Sequence, residues 1–174
     1  MYQLTDDGMR KDGANLVALA RMDPAPDHRD PDWPKYPDTV LSFSTSPRLE
    51  IDLRSPLSTE ARDGLARAGL GDPFAVVTAF DPQGRDLTPE ENEARRADLE
   101  KTLRTRGTAF LNVDCCSPDR SHCERSVAIS IPQDEATALA RELEQVAYFW
   151  FDGQRFWIVG ALLPTDPLAL PCSS

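Results

Sequence analysis

The feature that most limits the fold is the segment at residues 74–80, FAVVTAF, which is almost continuously apolar and has the length of a strand. A strand that is apolar on both faces has to be covered on both, which places it inside a sheet rather than at its edge. The residues that follow, Asp81-Pro82-Gln83-Gly84, have the preferences of a type I turn. We therefore predict a central strand, after which the chain reverses direction.

Three helices are predicted from their capping residues. Ser58 precedes a helical segment that stops at Gly69. Thr88 is followed by Pro89 and Glu91, the pattern of a capping box with a rigid first helical position. We expect helices from Ser58 to about Ala68, from Thr88 to about Arg106, and from a cap at Asp134 to about Gln145.

Strands are predicted where apolar and polar residues alternate, at residues 39–44, 48–53, 109–113 and 125–131. Asp152-Gly153 is a strong hairpin signal between two further strands, residues 147–151 and 154–159. A two-residue turn there pairs Phe151 with Gln154. One face of this hairpin then holds three aromatic residues, Tyr148, Trp150 and Trp157, and it needs a cover, for which the C-terminal tail, the N-terminal extension and a second subunit are candidates.

These elements predict an α+β fold, a two-layer sandwich in which a mainly antiparallel sheet of five to seven strands carries about three helices. The chain of 174 residues suits one domain. Residues 1–38 are rich in Pro and Asp, and proline removes backbone donors, so we expect an extension there. The domain is expected at residues 39–161, followed by a C-terminal tail at residues 162–174.

The charge balance of the chain disfavours one class of partner. Nineteen Lys and Arg residues against 29 Asp and Glu residues give a net charge of -10, which repels a phosphate backbone, so nucleic-acid binding is not expected. No run approaches the roughly 18 apolar residues needed to span a bilayer, and the N-terminus lacks the pattern of a secretory signal. We expect a cytoplasmic protein without a membrane partner.

The cysteines, Cys115, Cys116, Cys123 and Cys172, form neither a disulfide framework nor CxxC metal spacing, so we expect reduced thiols. Zinc held by these thiols and His122 is disfavoured, because adjacent cysteines seldom bind one ion together. We expect no metal centre. The common nucleotide-binding and hydrolase motifs are absent from the sequence, so the cofactor is unknown.

Two groups of polar residues are candidates for chemistry. In the strand at 125–131 and the residues before it, His122, Glu124 and Ser126 fall on one face. An imidazole and a carboxylate at this spacing suit acid and base catalysis, and a solvated strand end is the alternative. On the long helix, Asn92 shares the leucine-lined face, with Arg95 and Arg96 at its side. These three residues either satisfy buried backbone groups or face a polar cavity.

Several short motifs together resemble the bacterial domain of unknown function numbered 3293, over roughly residues 41–159. They are FAVVTAFDP at 74–82, Glu91-Asn92 with Arg95 and Arg96, Glu124-Arg125-Ser126, and Gln145-Val146-Ala147. The family pattern has Asn where this chain has Asp81. The resemblance implies one constellation of residues and no particular reaction; its members are Thr78, Asn92, Arg95 or Arg96, Glu124, Ser126 and Gln145.

The first functional hypothesis is a small-molecule site, for binding or for acid–base catalysis. Arg95 or Arg96 would hold an anionic group of the ligand, and Asn92 and Gln145 would orient it. Glu124, with His122 as its partner, would transfer a proton. Whether the protein is an enzyme stays open.

The alternative hypothesis is a non-enzymatic interaction or oligomerisation protein. Its acidic surface and the face formed by Tyr148, Trp150 and Trp157 would then contact a partner, and a second copy of the chain is one candidate. Aromatic residues beside an arginine have the character of interface hot spots, and they are equally suited to a covered core.

Overall fold

We analysed the fold in a computed structural model, which describes residues 32–71 and 73–172. The described residues contain three α-helices, eight strands and two short 3-10 turns. The helices are α1 (Thr59–Arg67), α2 (Pro89–Thr105) and α3 (Gln133–Glu142). The strands are β1 (Val40–Phe43), β2 (Leu49–Asp52), β3 (Phe74–Thr78), β4 (Leu111–Cys116), β5 (Cys123–Ile129), β6 (Ala147–Phe151), β7 (Phe156–Gly160) and β8 (Leu168–Ala169). The 3-10 turns lie at Trp33–Asp38 and Pro82–Gly84.

All eight strands belong to one sheet, in the order β2-β1-β4-β5-β3-β6-β7-β8, and every pairing is antiparallel. The α+β class and the antiparallel sheet are confirmed. The expected five to seven strands were too few. The additional strand is β8, two residues within the predicted tail that pair with β7. So short a strand has no alternation that a sequence pattern could detect.

The central strand β3 is covered on both faces, as its apolar sequence predicts. Phe74 and Val76 point into one core cluster, and Ala75 and Val77 point into another on the opposite face of the sheet. Helix α1 contributes to the first cluster, whereas α2 and α3 contribute to the second. Helices therefore cover both faces of the sheet, which differs from the simple two-layer sandwich that we expected.

Two of the three predicted helix caps are confirmed. The hydroxyl of Ser58 accepts from the Ala61 amide, and Thr88 with Glu91 forms the complete capping box. The cap predicted at Asp134 is wrong, because Pro132 occupies the cap position. Asp134 instead lies in the first turn of α3, where its negative charge still favours the positive end of the helix dipole.

The β6–β7 hairpin forms at the predicted place, but in a different register. Phe151 pairs with Phe156 rather than with Gln154, so the loop has four residues instead of two. The Asp152 carboxylate accepts hydrogen bonds from the amides of Gln154 and Arg155, which closes the wider loop. The shift is two positions along β7 and therefore leaves each side chain on its predicted face.

The turn after β3 is also not the predicted type I turn. Asp81 and Gln83 have φ values of 42° and 57°, in the left-handed region, where a type I turn needs negative φ at its central residues. The Asp81 carboxylate accepts from the Leu87 amide and from the Asn92 side chain. The Gly84 amide still donates to the Asp81 carbonyl at 3.0 Å, so a four-residue turn lies at the predicted place with a different backbone conformation.

The aromatic face of the hairpin is covered by α3. Tyr148 and Trp150 are buried in the cluster that includes Ala136, Leu139 and Ala140 of that helix. The tail does not provide the expected cover, since its residue Leu170 packs into the cluster on the other face. The tail was therefore the wrong candidate for Tyr148 and Trp150, and α3 takes that place. Residues 1–31 of the N-terminal extension lie outside the described residues.

Cys116 and Cys123 form a disulfide between directly paired positions of β4 and β5, with their Cα atoms 4.1 Å apart. This corrects the expectation of reduced thiols for these two residues. The prediction ended the first strand at residue 113 and began the next at residue 125, so it placed both cysteines in a loop. The longer strands bring them opposite each other.

Candidate functional site

A cavity of about 720 Å³ opens on the β3 face that carries Val76. Its floor is apolar, because Val76, Ala147 and Phe149 face it from β3 and β6. Tyr36, from the 3-10 turn before β1, lines another side and contacts the Phe149 ring, with the ring centroids 6.4 Å apart. The cavity therefore combines an apolar base with walls supplied by loops and strand ends.

Five of the eight predicted site residues line this cavity: Thr78, His122, Glu124, Ser126 and Gln145. They come from β3, from the loop before β5, from β5 itself and from the segment after α3. The residues described around the cavity do not include Asn92, Arg95 or Arg96. The predicted site residues therefore fall into two groups: five that line the cavity and three, Asn92, Arg95 and Arg96, that do not.

Thr78 and Ser126 form one wall because they are paired positions of the neighbouring strands β3 and β5. The Thr78 hydroxyl donates to the Arg125 carbonyl, 3.1 Å away, and accepts from the Phe80 amide. Ser126 is buried, and its hydroxyl lies 3.4 Å from the Glu124 carbonyl. These two hydroxyls bond to backbone groups near the ends of the strands and give this wall a polar surface.

Gln145 presents a hydrogen-bond acceptor to the cavity. Its side chain is buried, and Nε2 donates to the carbonyl of Phe80 at 2.8 Å and to that of Leu143 at 3.4 Å. Both partners are acceptors, which fixes the orientation of the amide. Among the described residues nothing donates to Oε1, and this oxygen is available to a ligand that carries an N–H or O–H group.

His122 and Glu124 stand together at the mouth of the cavity, with Nε2 and Oε1 3.2 Å apart. Their hydrogen bond holds the pKa of the imidazole above its ordinary value. Burial acts in the opposite direction, and the charges of Asp81 and Asp32 add to the rise. The imidazolium form is therefore favoured by three carboxylates.

The loop that carries His122 is held by its own hydrogen bonds. The Ser117 amide donates to the His122 carbonyl, and the His122 amide donates to the Ser117 hydroxyl. The Asp119 carboxylate accepts from the hydroxyls of Ser117 and Ser121 and from the Ser121 amide, which lowers its pKa to about 2. The Cys116–Cys123 disulfide closes the base of this loop.

Asn92 supports the cavity from outside. Its Oδ1 accepts from the Asp81 amide at 2.9 Å, and its Nδ2 donates to the Asp81 carboxylate at 2.8 Å. Asn92 is buried although it lies in the first turn after the capping box. Its side chain therefore fastens the loop after β3 to the start of α2.

The two arginines also have structural partners. Arg95 donates from Nε to the Ala79 carbonyl at 2.7 Å and from Nη2 to the Leu143 carbonyl at 2.9 Å. Arg96 pairs with Glu93 and Glu100 on its own helix. The first arginine therefore joins the end of β3 to the end of α3, and the second belongs to an ion-pair network along α2.

Among the described residues that line the cavity, acidic groups outnumber basic ones. Six carboxylates belong to this part of the lining: Asp32, Asp38, Asp81, Asp86, Asp119 and Glu124. Lys35, Arg54 and His122 also line it, and they pair with Asp32 at 2.6 Å, with Asp52 at 2.7 Å and with Glu124 at 3.2 Å, respectively. This balance favours a ligand that is cationic or neutral over one that is anionic.

Two residues of the cavity with reactive or charged side chains were not among the predicted site residues. Asp81 was interpreted as a turn residue that departs from the family pattern, although its side chain lies close to His122 and Glu124. Cys115 faces the cavity on β4 opposite Glu124. Burial raises the pKa of its thiol to about 12, with Glu124 and Asp114 adding to the rise, so this cysteine stays protonated and is a poor nucleophile.

One set of side chains could hold a metal ion. Single ligand atoms of Asp81, His122 and Glu124 all lie within 4.8 Å of one another. The expectation of no metal centre concerned zinc held by the cysteines and His122, and it did not consider this set. His122 and Glu124 are close in sequence, whereas Asp81 joins them only in the folded chain.

Residues 77–148 match the family described as Protein of unknown function (DUF3293), which confirms the resemblance over that segment. The matched segment includes all eight predicted site residues: Thr78, Asn92, Arg95, Arg96, His122, Glu124, Ser126 and Gln145. No curated protein and no solved structure matches the chain. No helix among the described residues is long and apolar enough to cross a membrane.

Proposed function

We propose that the protein, whose residues 77–148 match the DUF3293 family, binds a small molecule in the cavity beside β3. The observation that carries the proposal is the convergence of Thr78, Ser126, Gln145 and Glu124 on an apolar floor. Small-molecule sites typically combine a largely apolar cavity of roughly 300 to 1,000 Å³ with a few converging polar groups. The cavity of about 720 Å³ has this character.

The polar groups that line the cavity indicate which ligand would bind. Gln145 Oε1 and the Glu124 carboxylate are acceptors, so a ligand that bonds to them has to supply donors. The apolar floor formed by Val76, Ala147 and Phe149 would contact a hydrocarbon or aromatic body. We therefore infer a ligand with an amine, amidine or similar group on an apolar body.

An anionic ligand, as expected from the sequence, has little support in this geometry. Arg95 and Arg96 were to hold its charge, and both are engaged away from the cavity. The carboxylates that line the cavity would repel an anion. Proton transfer by His122 and Glu124 stays a prediction, since binding does not require it.

The alternative of an interaction surface has no observation in its favour. Tyr148 hydrogen-bonds to the Thr137 hydroxyl at 2.8 Å and donates to the Gln133 carbonyl at 3.2 Å, both on α3. Trp150 is 8% exposed, and Trp157 donates from Nε1 to the Asp152 carboxylate. These aromatic residues serve the protein's own core and hairpin.

A thermal-shift screen with pairs of compounds of equal shape and opposite charge tests the proposal. Benzylamine and benzoate are one such pair. At a concentration of 100 times its dissociation constant, a ligand stabilises a protein by about 2.7 kcal/mol, which corresponds to a Tm rise of roughly 5 to 10 °C for a chain of this size. We expect the aromatic amines to raise Tm and the matched carboxylates to have no effect.

Equal stabilisation by amines and carboxylates would contradict the charge preference of the cavity. A failure of every compound class to raise Tm would contradict the proposed binding function itself. Size-exclusion mass, recorded with and without the compounds, separates binding from a change in oligomeric state.

A further inference from the structure

Two segments of the chain bring metal-ligating side chains to the mouth of the cavity. Asp81 follows β3, His122 precedes β5, and Glu124 lies within β5. One ligand atom from each lies within 4.8 Å of the other two. We propose that Asp81, His122 and Glu124 bind a divalent first-row transition-metal cation. The proposal goes beyond the binding of an organic ligand, and its test uses the metal alone.

The geometry needs only small side-chain movements to enclose an ion. Ligand atoms bonded to one ion at about 2.1 Å lie roughly 3 to 4 Å apart. Glu124 already contacts His122 at 3.2 Å through Oε1 and Nε2. A metal would replace this hydrogen bond and draw the Asp81 carboxylate inward.

Asp81 is oriented for this role by groups behind it. Its Oδ1 accepts from the Leu87 amide at 2.9 Å and from Asn92 Nδ2 at 2.8 Å. These bonds fix the plane of the carboxylate while Oδ2 is left for an ion. Hydrogen bonds of this kind, from a second layer of residues, orient the ligands of known metal sites and tune their affinity.

The local charge favours a divalent cation. The three proposed ligands, Asp81, His122 and Glu124, have two carboxylates and one imidazole. The charge of Asp32 also acts on His122. The arginines near these residues in sequence are paired elsewhere: Arg85 with Glu144 at 3.9 Å, Arg120 with Glu50 at 2.7 Å and Arg125 with Glu93 at 3.3 Å. A bound cation would therefore relieve repulsion among carboxylates that lie close together.

The donor set indicates the class of metal. Imidazole nitrogen suits zinc and the transition metals, and carboxylate oxygen also suits manganese, so one nitrogen with two oxygens fits Zn²⁺ or Mn²⁺ better than Ca²⁺. Three protein ligands leave at least one coordination position open, as in catalytic rather than structural sites. This position would face the cavity, because all three residues line it.

Binding of Mn²⁺ to the full-length protein, followed by the loss of the free-ion EPR signal, tests the proposal. The key variant is Asp81→Asn. An asparagine Oδ1 can still accept from Leu87 and Asn92, so the loop stays in place, whereas the amide NH₂ cannot bind a metal. Asp86→Asn is the matched control, because Asp86 also lines the cavity and is not one of the three proposed ligands.

We expect one saturable Mn²⁺ site in the wild type, at least 10-fold weaker binding in Asp81→Asn, and less than a 3-fold change in Asp86→Asn. His122→Asn provides a second variant at an exposed position, and it should weaken binding as strongly as Asp81→Asn. Tm measurements verify that each variant is folded. If Asp81→Asn does not fold, His122→Asn decides the outcome.

The absence of saturable binding in the wild type would overturn the proposal. Equal losses in Asp81→Asn and Asp86→Asn would also overturn it, because they would show only diffuse attraction by the acidic cavity. Neither result bears on the organic ligand, whose binding is measured in the absence of metal. The two proposals can therefore fail separately.

Discussion

Replacing Arg95 by methionine lowers the free energy of unfolding by about 3 kcal/mol, because two carbonyls lose a charged donor worth about 1.5 kcal/mol or more each. The carbonyls belong to Ala79 and Leu143 and lie 2.7 and 2.9 Å from the guanidinium. Methionine keeps part of the apolar stem of arginine, so the loss reflects the hydrogen bonds. Urea unfolding of both proteins measures the difference, and Tm should fall by roughly 6 to 12 °C.

Arg96→Met is the matched control, with the same substitution one residue further along α2. Arg96 is bonded to Glu93 and Glu100 on its own helix, and such pairs contribute about 1 kcal/mol or less. We expect a correspondingly small loss of stability. A larger effect at Arg96 than at Arg95 would show that the assignment of structural roles to these two residues is wrong.

Glu124→Gln weakens the binding of a cationic ligand such as benzylamine by about 10- to 100-fold, because a charged acceptor contributes about 1.5 to 3 kcal/mol to a hydrogen bond. The side chain keeps its size and is only partly buried, at 28% exposure. The free energy of unfolding should therefore change by less than about 1 kcal/mol. Isothermal titration calorimetry gives the affinity, and urea unfolding gives the stability.

Glu93→Gln is the control for this substitution. Glu93 pairs with Arg125, the residue next to Glu124, and lies outside the described lining of the cavity. Its replacement should leave the affinity within about 2-fold of the wild type. Unchanged benzylamine affinity in Glu124→Gln would remove this carboxylate from the site, and a collapse of stability would show that Glu124 is structural.

The parts of the fold that could be predicted depend on short-range patterns. The apolar sequence at residues 74–80 is enough to place β3 inside the sheet, and the capping box at Thr88 is enough to start α2. The register of the β6–β7 hairpin could not be predicted in this way. It depends on the Asp152 carboxylate, which stabilises a four-residue loop where Asp-Gly favours a two-residue turn.

In the candidate site, too, the residues placed by short-range patterns could be predicted, and those placed by distant contacts could not. Glu124 and Ser126 share a strand face through simple alternation, and pairing of β3 with β5 adds Thr78 to that wall. Bonds from Arg95 to backbone groups were one of two predicted alternatives, but neither the particular carbonyls nor the contacts of Asp81 could be predicted. Both depend on contacts between residues distant in sequence, such as the bond from Arg95 to the Leu143 carbonyl.

The disulfide between Cys116 and Cys123 could not be predicted from the spacing of the cysteines in the sequence. Cys116 and Cys123 lie seven positions apart in the sequence, and their pairing depends on how far β4 and β5 extend. The strand bounds are therefore the missing information. Once they are known, the register alone places the two residues opposite each other.

Mapping of benzylamine-induced shifts of backbone amide NMR signals tests most directly whether the cavity beside β3 is the ligand site. We expect the largest shifts at Thr78, Ser126, Gln145 and Phe149, with saturation at one equivalent. Shifts concentrated around the second cavity, which is about 330 Å³ in volume and lined by Leu57 and Phe156, would contradict it. Small shifts spread evenly over the acidic surface would contradict it as well, since they indicate charge attraction without a site.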